Sequence, residues 1–153
     1  MTIVTIGLEL VAATLFVATT AFAQPATDVT AATEPISKQL EAFRRDDYDT
    51  AYAFAAADIK AMFDRAAFER MVRQGYPEIA HSTFALIVHS ALGPDGHVYV
   101  RVRIRGANGN SIEAVYDMVQ EAGSWRINGV ATRPDPGFVS APFPSGERGR
   151  VRG

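Results

Sequence analysis

Residues 97–105, HVYVRVRIR, decide the fold, because apolar and polar side chains alternate strictly along them. Alternation with a period of two is typical of a β-strand that buries one face and exposes the other. Similar runs cover Ser82–His89, Ile112–Val119 and Trp125–Val130. The stretches GPDG, GANGN and EAGS between these runs supply the residues that tight turns prefer. Four strands in succession predict an antiparallel meander.

The segment before the strands, Ile36–Gly75, carries apolar residues at helical spacing. Aspartates divide it, and a carboxylate at a helix N-terminus accepts amide hydrogens that the first turn leaves unpaired. Asp47 and Asp64 are therefore predicted to cap the second and third helices. Gly75 is predicted to adopt the left-handed conformation that ends the third helix, with Pro77 blocking its continuation. Because these helices must cover the apolar face of the sheet, the predicted fold class is α+β, with N-terminal helices packed on a curved four-stranded antiparallel meander.

Composition and charge exclude several classes of protein. A chain of 153 residues fits one compact domain. It contains 15 Lys and Arg against 17 Asp and Glu, so no overall positive field attracts nucleic acid. The absence of cysteine excludes disulfides, thiolate catalysis and iron–sulfur clusters. The sequence also lacks the G-x-S-x-G, H-E-x-x-H and glycine-rich phosphate-binding motifs.

The N-terminus has the character of a secretory signal. Leu10–Ala23 is an uncharged apolar run that ends in the small residues Ala21 and Ala23. It is shorter than the roughly 20 residues that a membrane-spanning helix needs. This pattern predicts cleavage between Ala23 and Gln24, a periplasmic or secreted location, and no stable membrane span afterwards. Residues 1–9 contain no Lys or Arg, so an uncleaved anchor is the alternative.

Both ends of the mature chain are rich in residues that prevent regular structure. The proline and glycine content predicts a signal peptide at 1–23, a flexible linker at 24–34, one ordered domain at 35–133 and a disordered tail at 134–153.

Three separated segments carry a resemblance to a known family: QLEAFRRDDYDTAYAFA, FERMVRQGYPEI and GSWRINGV, in this order. Together they resemble an exported proteobacterial family catalogued as domain of unknown function 4864, over Ile36 to about Thr132. The resemblance implies a layout similar to the cystatin-like or nuclear transport factor 2-like cone. That fold hosts isomerases, dehydratases and binding modules, so it does not choose a function. The family has no assigned activity and therefore supplies no site residues.

Three arginines share one face of the second predicted strand and form a candidate anion-binding surface: Arg101, Arg103 and Arg105. Forked guanidinium donors suit phosphate or carboxylate. If the GANGN loop closes a hairpin with Arg105 opposite Ser111, Arg103 faces Glu113, and Arg101 lies diagonal to Glu113 and Asp117. Because these acids would neutralise the arginines, a solvated, cross-paired face is the favoured interpretation.

The three histidines raise the question of a metal site: His81, His89 and His97. Extending the meander backwards sets His89 directly across from His97, where two imidazoles could share a cation. A metal site needs three or four ligands, and only Asp95 is close in sequence. We therefore predict no metal and no cofactor.

Four aromatic residues form the candidate pocket: Tyr48, Tyr52, Tyr116 and Trp125. Tyr116 alternates with apolar residues on the predicted inward face, and Trp125 is expected to share that face with Ile127. Tyrosine hydroxyls can stabilise an oxyanion, although an aromatic stripe is usually core. No Asp or His falls on this face, so no catalytic residue is predicted.

Two functions follow from these observations. The favoured one is an exported, non-enzymatic module of the cell envelope that binds a small ligand or an envelope protein. The alternative is a cofactor-independent lyase or isomerase that uses Tyr116 with a tyrosine from the helices. Pocket walls made only of apolar and tyrosine side chains would favour binding, whereas His89 or an aspartate in the pocket would favour catalysis.

Overall fold

The computed structural model describes residues 28–138. The predicted signal segment, its cleavage site and the tail beyond Phe138 lie outside the described residues. None of the helices within the described range has the length and apolar character that crossing a membrane requires.

Within residues 28–138, five helices precede four strands, which confirms the predicted α+β class. The helices are α1 (Thr33–Arg44), α2 (Tyr48–Ala53), α3 (Ala57–Met62), α4 (Arg65–Gly75) and α5 (Pro77–Ala80). The strands are β1 (Ser82–Leu92), β2 (Val98–Gly106), β3 (Ser111–Glu121) and β4 (Ser124–Pro134). The strands form one open antiparallel meander in the order β1-β2-β3-β4.

Both predicted N-caps are confirmed. The Asp47 carboxylate accepts a hydrogen bond from the Thr50 amide at 3.0 Å, and α2 begins at the next residue. The Asp64 carboxylate accepts one from the Ala67 amide at 2.7 Å at the start of α4. Asp46 adopts φ 55°, the left-handed conformation that lets the chain turn between α1 and α2.

The third predicted helix, which Asp64 caps, is α4 of the structure. The prediction for its C-terminal end is wrong. Gly75 belongs to the helix and does not have positive φ. The chain leaves the helix through Tyr76, whose φ is −137° and whose amide still donates to the Val72 carbonyl at 2.9 Å. Pro77 then opens α5 instead of only ending α4, because its fixed φ suits the first turn of a helix, where no amide donor is needed.

The predicted register of the central hairpin is confirmed. Arg105 pairs with Ser111, and Arg103 pairs with Glu113. The alternation also places the valines of β2 inward, where they meet the helices in the core. The largest fully buried side chains are Ile36, Phe43, Tyr48, Val98, Val100, Val102, Ile104, Tyr116 and Met118.

The predicted pairing of His89 with His97 is wrong. His89 lies opposite Arg101, because β1 continues to Leu92, which pairs with Val98. The GPDG turn is therefore tight, and the Gly93 amide donates to the His97 carbonyl at 2.8 Å.

The pairing of β4 with β3 contains a register shift, which changes the direction of the β4 side chains relative to those of β3. Asp117 pairs with Gly129 while the next residue, Met118, pairs with Ile127, so Asn128 is the extra residue of a bulge. Ile127 is buried, and Trp125 is half-buried and packs against the core.

Described residues on both sides of the predicted domain, 35–133, contact it. Ala32 is fully buried, within the segment predicted as a linker. At the other end, the Asp135 amide donates to the Ser111 carbonyl at 2.9 Å, and the Phe138 ring stacks on Phe84. Proline costs little here, because β4 is an edge strand that has no further ladder to complete at Pro134.

Candidate ligand-binding cavity

An apolar cavity of about 250 Å³ lies between the helices and the β3–β4 half of the sheet. Buried side chains from α1 and α4, Phe43, Phe68 and Val72, form one wall. Ile127 and Val130 of β4 form the opposite wall. Phe63, Met71 and Tyr76 also line it and are partly exposed.

Tyr116 is the polar residue of greatest interest in this wall. It is 1% exposed, and its hydroxyl oxygen is buried without a hydrogen-bond partner among residues 28–138. Burial raises the pKa of the phenol, so it stays protonated at neutral pH and can both donate and accept.

The other polar groups in the wall are already engaged. The Gln39 amide nitrogen donates to the Ala51 carbonyl at 3.0 Å, and this bond ties α1 to α2. The Tyr76 hydroxyl donates to the Val130 carbonyl at 3.5 Å, a long contact across the cavity margin. No Asp, Glu, His, Lys or Arg is among the described residues that line the cavity. A charged ligand would therefore lose its hydration without gaining a partner.

The structure separates the four residues of the candidate pocket. Tyr116 lies in the cavity wall, whereas Tyr48, Tyr52 and Trp125 are not among the described residues that line it. The Tyr52 hydroxyl donates to the Phe63 carbonyl at 2.7 Å, on the helical side. The two tyrosines of the helices and the tryptophan therefore serve packing around the site.

Tyr48 occupies a separate, helical environment. Its ring lies 5.2 Å from Phe43, and the Arg73 guanidinium lies 4.4 Å from the ring centroid. Burial is the main cause that raises the pKa of Tyr48. Arg73 also contacts Glu69 at 2.8 Å and Asp46 at 3.2 Å, so Tyr48 is covered by an ion-pair network that joins α4 to the α1–α2 turn.

Tyr76 is one of several wall residues that were not predicted to line the pocket. It follows Phe68 and Val72 at successive intervals of four residues, and all three line the cavity. This spacing was a usable signal, because residues four apart share one helix face. The adjacent Pro77 obscured it by suggesting that the helical face had already ended.

The outer face of the sheet holds the predicted arginines. Arg101 is exposed, and the Arg103 Nε lies 2.9 Å from an Asp135 carboxylate oxygen. Glu113, although opposite Arg103, forms its ion pair with Arg133 of β4 at 2.6 Å. Arg105 lines a polar groove of about 610 Å³ that also contains the acidic residues Glu78 and Asp135. The face therefore carries charges of both signs, and its ion pairs join Arg103 to Asp135 and Arg133 to Glu113.

His97 forms a second polar cluster on this outer face. Its Nδ1 lies 2.7 Å from one oxygen of Asp117, and the Asn128 amide donates to the other oxygen at 2.9 Å. The β4 bulge creates this arrangement by supplying Asn128. Within residues 28–138, no group of three metal-binding side chains is close enough to hold an ion. The cluster lies on the face of the sheet that points away from the cavity.

Comparison with known proteins identifies one family. The description "Domain of unknown function (DUF4864)" applies to the family that matches residues 25–139, which includes every helix and strand given above. No curated protein and no solved structure matches the chain.

Proposed function

The chain belongs to the family described as domain of unknown function 4864, and we propose that it is an exported, non-enzymatic module whose cavity binds a small, uncharged, mostly apolar molecule with one hydrogen-bonding group. The observation that carries this proposal is Tyr116, a residue of the apolar wall whose buried hydroxyl has no hydrogen-bond partner among residues 28–138. A buried polar group without a partner costs about 1–3 kcal/mol. A ligand that pairs with this hydroxyl recovers that free energy, which gives the site selectivity as well as affinity.

The size of the cavity limits the ligand. A cavity of about 150 Å³ lined by Leu, Ile and Phe holds benzene, and this one measures about 250 Å³. Pockets for drug-sized ligands span about 300–1,000 Å³. The proposed ligand is therefore a molecule of one or two small rings, or a short branched chain.

The absence of charged side chains from the described wall supports binding over the lyase or isomerase alternative. Proton transfer at carbon needs a positioned acid or base whose pKa lies near the working pH. Among the described wall residues only Tyr116, Tyr76 and Gln39 are polar, and the pKa of Tyr116 is shifted away from neutrality. His89 is exposed on β1 and is not among the described lining residues.

Export remains part of the proposal on the evidence of the sequence. The apolar run Leu10–Ala23 and its small terminal residues support a cleaved signal and a periplasmic or secreted location. The intact mass of protein recovered from the periplasm tests this, with cleavage before Gln24 as the expected result. A cystatin-like or nuclear transport factor 2-like cone is proposed with it, supported by helices that cover one face of an open, bulged meander.

Two probes of nearly equal shape test the proposed site: toluene and p-cresol, which differ by one hydroxyl. Binding is measured by nuclear magnetic resonance titration of methyl groups in the full chain, with Met71 and Val130 as reporters in the wall. We expect both probes to bind and p-cresol to bind about 2- to 10-fold more tightly, as one hydrogen bond of 0.5–1.5 kcal/mol provides. Tyr116→Phe is expected to abolish the preference while toluene still binds.

The matched control is Tyr99→Phe, which removes a tyrosine hydroxyl from the outer face of the sheet. It should leave the preference for p-cresol intact. Failure of the unaltered chain to bind either probe, or a preference for p-cresol that survives Tyr116→Phe, would contradict the proposed site.

A further inference from the structure

Strand β1 is the edge of the sheet with which no other strand of residues 28–138 pairs on its outer side. Its sequence, Ser82–Leu92, contains no Lys, Arg, Asp or Glu. Five of the seven large apolar side chains that are exposed within residues 28–138 belong to it, each 38% to 52% exposed: Phe84, Leu86, Ile87, Val88 and Leu92. Edge strands usually carry charges, prolines, bulges or a cover, because their free main-chain groups otherwise pair with another strand. Strand β1 has register shifts but neither a formal charge nor a proline.

The opposite edge has that protection. The Ala56 amide donates to the Ile127 carbonyl at 2.8 Å, and the Ile127 amide donates to the Phe54 carbonyl at 2.9 Å, so the α2–α3 link covers the middle of β4. Arg126 and Pro134 add a charge and a residue without an amide donor. On β1, the Arg44 side chain donates hydrogen bonds to the carbonyl and hydroxyl oxygens of Ser82, the first residue of the strand.

We propose that β1 pairs antiparallel with β1 of a second copy of this chain, which makes the two meanders one continuous sheet. Another extended strand can pair with the whole row of outward amide and carbonyl groups at once. A strand with apolar side chains on both faces is complementary to itself, and a twofold axis closes the assembly at two copies.

The distribution of charge favours a second copy of the chain as the partner of β1. Because β1 has no formal charge, bringing two copies together creates no repulsion at the contact. The nearest cations of the outer face, Arg101 and Arg103, lie one strand back on β2. In the paired sheet they would be three strand spacings from their counterparts, roughly 14 Å, which exceeds the screening length of about 8 Å at physiological salt.

The pairing of β1 with β2 has two register shifts, one between Ser82 and Phe84 and one between Ile87 and His89, and a twofold axis can lie at the second. The second shift lies near the middle of the strand. A regular stretch remains on each side, at Phe84–Ile87 and His89–Leu92. An axis through the shift would pair the first stretch of one copy with the second stretch of the other.

The pairing is independent of the proposed ligand site. The described lining residues of the cavity come from the helices, the links between them, β3 and β4, and none comes from β1. A monomeric protein that binds p-cresol would refute only the pairing, and a dimer that binds neither probe would refute only the ligand site.

The mass of the full chain in solution tests the pairing, by sedimentation equilibrium up to about 100 μM, where micromolar affinities are saturated. We expect a dimer. Leu86→Lys places a charge on the free edge at a side chain that is already half-exposed, and it should raise the dimer dissociation constant at least 10-fold. Circular dichroism verifies that the variant folds, and Leu92→Lys replaces it if it does not.

Val115→Lys is the matched control, because Val115 is exposed on the outer face but lies on the central strand β3. It should leave the dimer intact. Hydrogen exchange adds a backbone readout, and amides of residues 83–92 should exchange more slowly as protein concentration rises. A monomer at every concentration, a Leu86→Lys dimer, or loss of the dimer in Val115→Lys alone would overturn the proposal.

Discussion

The aromatic rings of Phe138 and Phe84 stack with their centroids 5.6 Å apart and their planes inclined by 28°. Phe138 follows β4, whereas Phe84 lies on β1, so the chain crosses the outer face of the sheet from one edge toward the other. The Arg103 guanidinium, 5.6 Å from the Phe138 ring centroid, lies along this path and also pairs with Asp135. A segment that composition predicts to be disordered therefore covers part of the sheet.

Removal of residues 135–153 should lower the stability of the domain. The deletion loses the Phe138 stack, the Asp135 ion pair and the Asp135–Ser111 hydrogen bond. We expect a loss of about 1–3 kcal/mol and a midpoint lower by several degrees in thermal unfolding. Removal of residues 140–153 is the control, because it keeps all three contacts, and it should leave the midpoint unchanged. Equal midpoints for the two deletions would show that the segment contributes nothing.

Tyr116→Phe and Tyr52→Phe should have opposite effects on stability. The first removes a buried hydroxyl that has no partner among the described residues, so the free energy of unfolding should stay constant or rise by up to about 1 kcal/mol. The second removes the donor to the Phe63 carbonyl and should cost about 1 kcal/mol. Urea unfolding of both variants measures the difference. A destabilised Tyr116→Phe variant would mean that its hydroxyl already has a partner in solution.

Tyr99 should ionise at an unusually high pH. Its hydroxyl donates to the Asp95 carboxylate at 2.6 Å, and this bond raises the pKa of Tyr99 from 10.0 to about 12. Since the folded-state pKa is the higher one, the stabilisation is complete below pH 10 and is lost as the pH rises through about 12. Absorbance of the phenolate during alkaline titration, compared between the unaltered chain and Tyr99→Phe, identifies this group. In Asp95→Asn the ionisation should move back toward pH 10, and an unchanged titration would refute the assignment.

Trp125→Ala should lower the free energy of unfolding by less than the replacement of a fully buried aromatic residue does. Trp125 is half-buried against the core, so we expect a loss of about 2 kcal/mol, below the 3–5 kcal/mol typical of a central tryptophan. Urea unfolding measures it, with Phe43→Ala as the reference for a buried ring. The fluorescence of Trp125 should accordingly be partly accessible to acrylamide. Complete protection from the quencher would place Trp125 deeper than the structure does.

The sequence by itself determined that helices precede four strands, the α+β class and the register of the central hairpin, but not α3 or α5. These follow from local physics: alternation in HVYVRVRIR assigns each side chain to a face, and a short turn leaves few ways to pair Arg103 with Glu113. The caps at Asp47 and Asp64 are equally local, because each carboxylate meets an amide three residues away. Tyr116 was assigned to the inward face for the same reason.

Tertiary structure decided which side chains from distant segments of the chain contact each other. Periodicity states that Tyr116 points inward, but not that Tyr76 and Val130 complete its wall while Tyr48 and Tyr52 do not. The bulge at Asn128 changes the register of β4, so its polar contact with Asp117 follows no regular pattern. The docking of Phe138 depends on Phe84, whose position is set by the whole width of the sheet. A local pattern specifies the direction of a side chain, whereas its neighbours are specified by how all the elements pack together.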